Sequence, residues 1–211
     1  MIQQIGKICK SLGFCAKINL LGVIAMELYL LDCENLQIDI FLNYLSPNRR
    51  KKIANLPLEK KKSIMGPDLL LQYVFGSVDY HYDKDGHPIL NNNTKRVSFS
   101  HSGRYALMGV SDVRLGVDIQ EVTEFNERVA KRFLNLGSSA NRDDFFRTWV
   151  VMEANGKRVG KGILISRDEL VETYIAKHDN YYLAATLDEN EEIEKFVVLT
   201  EKDLLESPNF K

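Results

Sequence analysis

An acidic side chain interrupts an alternating apolar stretch at residues 113–120, whose sequence is Val-Arg-Leu-Gly-Val-Asp-Ile-Gln. In an extended strand the apolar residues face one side, so Asp118 and Gln120 share the opposite side with Gly116. Two oxygen-bearing side chains can supply part of a magnesium site, because this ion prefers oxygen ligands and keeps water or phosphate for the rest. Gly116 would leave room for a ligand to approach. An acid at a strand end is more often an ordinary surface residue.

A second acidic side chain lies in a segment with helical spacing, residues 143–159. Trp149, Glu153 and Lys157 recur every four residues and therefore lie along one face of the predicted helix. Glu153 can be a second metal ligand with a cation beside it, or half of an ordinary i,i+4 ion pair with Lys157. The Asn-Gly pair after it is unfavourable inside a helix. This pair indicates that close approach matters more there than helix stability.

Hydroxyl side chains surround His101 in the segment 97–104, Val-Ser-Phe-Ser-His-Ser-Gly-Arg. Such a group can donate hydrogen bonds to phosphate. A serine hydrolase is disfavoured because the chain lacks a Gly-x-Ser-x-Gly nucleophile elbow. A histidine with a purely structural role fits the same pattern equally well.

The order and spacing of these segments resemble the three-part signature of the 4'-phosphopantetheinyl transferase superfamily. The resemblance rests on Phe-Ser-His-Ser at 99–102, Gly-Val-Asp-Ile at 116–119 and Trp-x-x-x-Glu-x-x-x-Lys at 149–157. It covers residues 26–199 and is closest to the surfactin-synthetase-activating type, a single chain of two similar halves. It implies an enzyme that transfers the phosphopantetheine arm of coenzyme A to a serine of an apo acyl or peptidyl carrier protein, releasing adenosine 3',5'-bisphosphate.

The resemblance also implies roles for individual residues. Asp118 and Glu153 correspond to the magnesium ligands, and Gln120 occupies the position of a third acid in some members; manganese is an alternative ion. Glu153 or Lys157 would activate the carrier serine. The assignment between these two stays open, because a metal-bound carboxylate is a weak base.

Further implied roles concern the phosphates of coenzyme A. Ser100 and His101 correspond to family contacts with the bound cofactor. Three further implied cofactor contacts fall near family positions that hold the adenosine 3'-phosphate: Arg49, Lys52 and Lys62. A fourth, His87, stands at a position that is basic in the family. The family usually carries Lys at the positions of His87 and Met152, so positive charge around the cofactor is reduced here.

The elements that must position these residues follow from apolar periodicity and turn residues. Ser46 should cap a basic helix that begins at Pro47. A second basic helix should span 58–75, with Gly66-Pro67 breaking or kinking it. The other predicted elements are a strand at 26–31, a short helix at 36–45, a hairpin of 105–110 and 113–119, a helix at 127–133, strands at 170–176, 181–187 and 193–199, turns at 83–88 and 188–190, and a final helix from 201.

Helices and antiparallel hairpins in both halves, without a run of βαβ units, predict an α+β fold. With the resemblance, this becomes a pseudo-dimer of two similar half-domains, each a small antiparallel sheet with helices, and an active site at their interface. Residues 26–120 would hold the basic helices and the first metal ligand, and residues 121–211 the catalytic helix. Residues 1–25 would be an N-terminal extension of unknown role.

Net charge and composition narrow the function classes. A net charge of −1 disfavours a global nucleic-acid binder. The basic runs 49–52 and 60–62 still motivate an RNA-binding alternative, which the lack of neighbouring aromatic clusters opposes. A second alternative is a degenerate family member that binds coenzyme A or a carrier protein without turnover.

The compartment follows from cysteine usage and apolar runs. An odd cysteine count without metal-ligand spacing favours a reduced protein. The charge-free run 18–26 is too short to span a bilayer. We therefore expect a cytoplasmic, monomeric enzyme with no nucleic-acid or membrane partner.

Overall fold

The computed structural model describes residues 25–124, 128, 141–187 and 192–211. The predicted extension before Ala25, the predicted helix at 127–133 apart from Arg128, and the predicted turn at 188–190 lie outside these residues. Within the described ranges, no helix has the length and apolar character needed to cross a membrane.

One sheet has six strands in the order β2-β3-β4-β5-β1-β9. Its strands are β1 (Ala25–Asp32), β2 (Tyr80–Tyr82), β3 (Pro88–Leu90), β4 (Arg96–Ser102), β5 (Tyr105–Ser111) and β9 (Glu192–Leu199). Strand β1 pairs antiparallel with β5 on one side and parallel with β9 on the other. The sheet is therefore built from both ends of the described chain.

A second, antiparallel sheet has the order β6-β8-β7. Its strands are β6 (Leu115–Glu121), β7 (Thr173–His178) and β8 (Tyr181–Leu187). The described architecture is thus α+β, as predicted. Strand β6 pairs with β8 from the later part of the chain, and β9 returns to the first sheet. The division into two half-domains at residue 120 stays a prediction.

The helix predicted from Pro47 begins there, whereas the helix predicted at 36–45 begins at Ile38 and ends at Phe41. The helices are α1 (Ile38–Phe41), α2 (Pro47–Ile53), α3 (Leu58–Phe75), α4 (Arg142–Val159) and α5 (Glu201–Glu206). Ser46 caps α2, since its Oγ accepts a hydrogen bond from Arg49 N at 3.2 Å. Asn141 caps α4 through Asp144 N at 2.9 Å, and the Asp144 side chain accepts from Asn141 N in return.

The predicted break at Gly66-Pro67 does not occur, because α3 runs continuously through it. A Cβ built on Gly66 would lie 2.2 Å from the Cβ of Ala106, so glycine lets α3 pack closely on β5. Proline inside a helix costs about 3 kcal/mol. The large side chains Met65 and Leu69, fully buried beside it, offset that cost at about 1.5–3 kcal/mol each.

The predicted hairpin of 105–110 and 113–119 is wrong, because β5 and β6 belong to different sheets. Strand β5 pairs with β4 along one edge and with β1 along the other. It therefore has no free edge for β6, which crosses to the second sheet and pairs with β8. Two adjacent strands in sequence do not reveal that both edges of the first are occupied by others.

Alternation along β1 explains how the layers pack. Tyr29 and Leu31 face a core shared with α3, whereas Leu28 and Leu30 face a core shared with the second sheet. Leu115, Val117 and Ile119 of β6 fill that second core, on the side opposite Asp118. The polar face of β6 is thereby directed away from the second core.

Candidate active site

A cavity of about 330 Å³ lies where β4, β6 and α4 meet. It is lined by Phe99, Ser100, His101, Asp118, Ile119, Gln120, Trp149, Glu153 and Lys157. The three sequence motifs therefore meet in one place, although they are far apart along the chain. Six of the predicted site residues line the cavity: Ser100, His101, Asp118, Gln120, Glu153 and Lys157.

Asp118 is only 4% exposed, and its two carboxylate oxygens have different surroundings. Oδ1 accepts hydrogen bonds from Ser100 Oγ and Lys157 Nζ, each at 2.7 Å. Oδ2 is buried without a hydrogen-bond partner among the described residues. A buried carboxylate oxygen without a partner is costly. The position of Asp118 Oδ2 in a polar cavity suits this oxygen to bind a cation.

Glu153 lies one helical turn before Lys157 on α4. Burial and then the negative charge of Asp118 raise the pKa of Glu153, while the Lys157 charge lowers it. Lys157 forms its ion pair with Asp118 on the neighbouring strand, so the predicted alternative of an i,i+4 surface pair with Glu153 does not describe it. A second carboxylate that disfavours the charge of Glu153 makes added positive charge stabilising at this site.

His101 is a neutral side chain in a positive environment. Burial, followed by the charges of Lys52, Arg49 and Lys157, lowers its pKa to about 4. The imidazole is therefore uncharged near pH 7. In this state one ring nitrogen donates a hydrogen bond and the other accepts one. A bound phosphate beside it would oppose these cations and favour protonation. The part of the cavity next to β4 thus has the electrostatics of an anion site.

Two of the predicted basic contacts have partners elsewhere in the protein. Arg49 is 7% exposed, and its guanidinium donates to Asp68 Oδ1 and to Tyr80 OH, each at 3.1 Å. Lys62 donates to the backbone carbonyl of Glu34. Neither residue lines the cavity. Their roles as cofactor contacts stay predictions.

Lys52 is an exposed cation near the cavity. Its ammonium group has no hydrogen-bond or ion-pair partner among the described residues, and its charge acts on His101. Of the three predicted basic side chains on α2 and α3, Lys52 is therefore the one best placed to meet a phosphate next to His101.

His87 lies outside the cavity, in the turn between β2 and β3. Its Nε2 lies 3.2 Å from Arg158 O, and its Nδ1 lies 3.1 Å from Asp83 Oδ2. Asp83, Asp85 and His87 could bring ligand atoms within 4.8 Å of one another. Asp83 Oδ1, however, accepts from the backbone N–H groups of Asp85 and His87. These contacts are those of a stabilised turn fastened to the end of α4, and the cofactor role of His87 stays a prediction.

Two glycines near the site, Gly116 and Gly156, lie directly against the backbone of neighbouring segments. A Cβ on Gly116 would lie 1.9 Å from the carbonyl oxygen of Ala154, so the space beside β6 is filled by α4. The predicted room for a ligand at Gly116 is therefore wrong. A Cβ on Gly156 would lie 1.8 Å from the carbonyl oxygen of Gly162. The prediction that close approach requires this residue is confirmed.

Two positioning features were not assigned from the sequence. Asn155, noted only as a poor helix former, is fully buried; its amide donates to Thr173 Oγ1 at 3.0 Å and its carbonyl accepts from Val171 N at 3.0 Å. These bonds hold α4 against the chain entering β7. Trp149 and Phe99 add apolar walls to the cavity. The sequence signal for Trp149 is its position four residues before Glu153, and the signal for Phe99 is its position directly before Ser100.

Met152 does not line the cavity, although it directly precedes Glu153 on α4. It is 6% exposed and packs in a cluster with Val122, Phe145 and Ile165. A helix turns by about 100° per residue, so neighbours on α4 face different surroundings. The absence of a Lys at this position therefore removes no charge from the described cavity.

Met152→Lys should destabilise the protein without tightening its binding of coenzyme A. Burying an ammonium among apolar side chains should lower the free energy of unfolding by about 3 kcal/mol. The melting temperature should fall by about 6–12 °C, as measured by calorimetry. Met152→Leu, which keeps the volume, should cost less than about 1.5 kcal/mol. A lower KM for coenzyme A at unchanged melting temperature would show instead that Met152 faces the cofactor.

Comparison with known proteins gives two relatives and no matching family model. The 4'-phosphopantetheinyl transferase psf-1 of Bacillus pumilus is 24% identical over 163 residues, which are 67% of this chain and 70% of that protein. The 4'-phosphopantetheinyl transferase gsp of Aneurinibacillus migulanus is 23% identical over 120 residues, which are 49% of this chain and 50% of that protein. The chain is thus similar to two 4'-phosphopantetheinyl transferases, in accord with the ordered motifs and their meeting in one cavity.

Proposed function

We propose that the protein transfers the 4'-phosphopantetheine arm of coenzyme A to a serine hydroxyl of an apo acyl or peptidyl carrier protein. The observation that carries the proposal is the convergence of Asp118, Glu153 and Lys157 in a cavity that also contains His101. The names of the two relatives support the same activity. The surfactin-synthetase-activating type, with one chain supplying the whole site between two similar halves, is the subtype that we favour.

The donor set fits a magnesium or manganese ion. Asp118 offers a buried oxygen that has no partner in the described part of the chain, Glu153 a second carboxylate, and Gln120 a neutral amide oxygen. These hard oxygen donors suit Mg²⁺, which completes its shell with water and phosphate. When bound, the ion would neutralise the pyrophosphate of coenzyme A and ease departure of the leaving group.

The proposed reaction is a single phosphoryl-type transfer. The carrier serine oxygen forms a bond to the phosphorus that bears the pantetheine arm. The bond from that phosphorus to the oxygen shared with the other phosphate breaks, and adenosine 3',5'-bisphosphate leaves with that oxygen. The serine proton passes to a protein base. In-line positioning and charge stabilisation supply most of the acceleration in such transfers.

Glu153 and Lys157 are both candidates for activating the serine. The raised pKa of Glu153 makes its carboxylate, while no ion is bound to it, a better proton acceptor than a solvated one. As a metal ligand the same carboxylate would be a weak base, so the assignment between the two residues stays open. Lys157 Nζ donates to Asp118 in the described structure, so it would act by holding negative charge unless it first lost a proton. His101, with the charge of Lys52 acting on it, would hold phosphate. A cytoplasmic, monomeric enzyme accords with this scheme, since one chain contributes every proposed group.

A transfer assay tests the proposal directly. The purified protein, Mg²⁺, coenzyme A and an apo carrier protein should yield a carrier whose mass rises by one phosphopantetheine group, and EDTA should abolish the change. Binding of coenzyme A without transfer to several carrier proteins would favour the degenerate, non-catalytic alternative. If the protein neither bound coenzyme A nor modified any carrier protein, the proposed function would be refuted. A gel-shift assay with RNA at physiological salt tests the RNA-binding alternative, which a shifted band would support.

Lys52 should determine how strongly the enzyme prefers coenzyme A to its form lacking the 3'-phosphate. A charge-assisted contact is worth about 1.5–3 kcal/mol, so the two KM values should differ by about 10- to 100-fold. In Lys52→Gln this difference should shrink to within a few-fold. Lys60→Gln, an exposed change on α3, should retain it. Equal KM values already in the unmodified protein would show that the basic helices are only a solvated face.

A further inference from the structure

Serine hydroxyls on β4 take the place of a neighbouring strand along one edge of β6. Ser98 Oγ accepts a hydrogen bond from Val117 N at 3.1 Å, and Ser102 Oγ accepts one from Glu121 N at 3.0 Å. The opposite edge of β6 pairs with β8 through backbone hydrogen bonds. Strands β4 and β6 belong to different sheets, so these two hydroxyls form a hydrogen-bonded joint between the sheets.

A third serine completes the series and contacts the acidic residue itself. Ser100 lies midway between Ser98 and Ser102, and all three side chains point to the same face of β4 because alternate residues do so. Ser100 Oγ donates to Asp118 Oδ1 at 2.7 Å. Asp118 lies between the two backbone positions that the other hydroxyls hold. The three contacts therefore fix both the position of β6 relative to β4 and the orientation of the Asp118 carboxylate on β6.

The contact to Ser100 decides which oxygen of Asp118 remains available. Oδ1 already receives the Ser100 hydroxyl and the Lys157 ammonium, whereas Oδ2 is buried without a partner among the described residues. Loss of the Ser100 hydroxyl would leave the Lys157 ammonium as the one described hydrogen-bond donor that restrains the rotation of the carboxylate. Loss of Ser98 and Ser102 would release the strand that carries it. Either change would misplace Oδ2 relative to Glu153 on α4.

We propose that Ser98, Ser100 and Ser102 are positioning residues that present Asp118 Oδ2 to the divalent cation. The inference rests on the proposed function, since that function requires the cation. It reassigns Ser100 from a phosphate contact to a hydrogen-bond donor that orients a ligand. Partners that orient a ligand commonly affect metal affinity almost as strongly as the ligands do.

Direct Mn²⁺ binding tests this role independently of turnover. The electron paramagnetic resonance signal of free Mn²⁺ is titrated with the full-length protein in the presence of coenzyme A. Ser100→Ala and the double variant Ser98→Ala/Ser102→Ala should each weaken Mn²⁺ binding by about 10-fold or more. Ser100→Thr keeps the hydroxyl and should restore binding to within a few-fold of the unmodified protein.

Ser207→Ala is the matched control. Ser207 is 8% exposed, as is Ser100, and its Oγ accepts a backbone hydrogen bond from Asn209 N at 3.3 Å. Its removal should lower the melting temperature slightly and leave Mn²⁺ affinity unchanged. Melting curves identify any variant whose weaker binding follows from unfolding, and the affinity is then compared below its melting transition.

The outcomes separate the inference from the proposed function. Unchanged Mn²⁺ affinity in Ser100→Ala and in the double variant, with a normal unmodified protein, would overturn the positioning role alone. A raised KM for coenzyme A in Ser100→Ala at unchanged Mn²⁺ affinity would return Ser100 to the role of a phosphate contact. No Mn²⁺ binding by the unmodified protein would instead count against the proposed metal-dependent function.

Discussion

Asp118→Ala should lower kcat/KM for carrier modification by at least about 100-fold, equivalent to about 3 kcal/mol of transition-state stabilisation. The variant loses the one buried carboxylate oxygen that has no partner among the described residues. It also frees Lys157, whose ammonium is held at 2.7 Å by Asp118 Oδ1. Glu153→Ala should have an effect of similar size, because it removes the second carboxylate of the same cavity.

The measurement is a steady-state rate of carrier modification over a range of Mg²⁺ concentrations. Asp143→Ala is the matched control: it removes another carboxylate–lysine pair, the exposed one between Asp143 and Lys177 at 3.2 Å. That change lies at the start of α4, away from the cavity lining, and should leave kcat/KM within a few-fold of normal. Near-normal rates in Asp118→Ala or Glu153→Ala would remove that residue from the proposed metal site.

Gly116→Ala should strongly destabilise the protein. The new Cβ would lie 1.9 Å from Ala154 O and 2.8 Å from Arg158 N, both backbone atoms of α4. A side chain can rotate away from such an overlap, but a helix must move as a whole. We expect a loss of at least about 3 kcal/mol and a melting temperature lower by about 6–12 °C.

Activity should fall as well, because α4 carries Glu153 and Lys157 and would have to move away from β6. Gly109→Ala is the control, since its Cβ would meet only side-chain ends, Leu115 Cδ1 and Val117 Cγ1, each at 2.7 Å. Those groups can adjust, so the loss should be smaller. Calorimetry and the transfer assay on both variants check the prediction. Equal melting temperatures for the two variants would contradict the proposed difference between backbone and side-chain overlap.

Local sequence signals determined most of the secondary structure and indicated the residues of the candidate site. Ser46-Pro47 predicted the start of α2, and the acidic residues at 143 and 144 marked the start of α4 within one residue. Capping and periodicity depend on residues a few positions apart, so they can be recognised without the fold. The same holds for the alternation that places Asp118 opposite Leu115 and Val117.

Tertiary structure alone decided which side chains share the cavity and which serve the core. Neighbouring positions on α4 separate Met152, packed among apolar residues, from Glu153, which faces Asp118. The pairing of both edges of β5 sent β6 to another sheet, and the packing of α4 occupied the space beside Gly116. These outcomes depend on contacts between residues distant in sequence, whose partners no local pattern specifies. The sequence by itself therefore determined the chemistry of this protein's residues, and the packing of α4 against β4 and β6 decided which of them can act together.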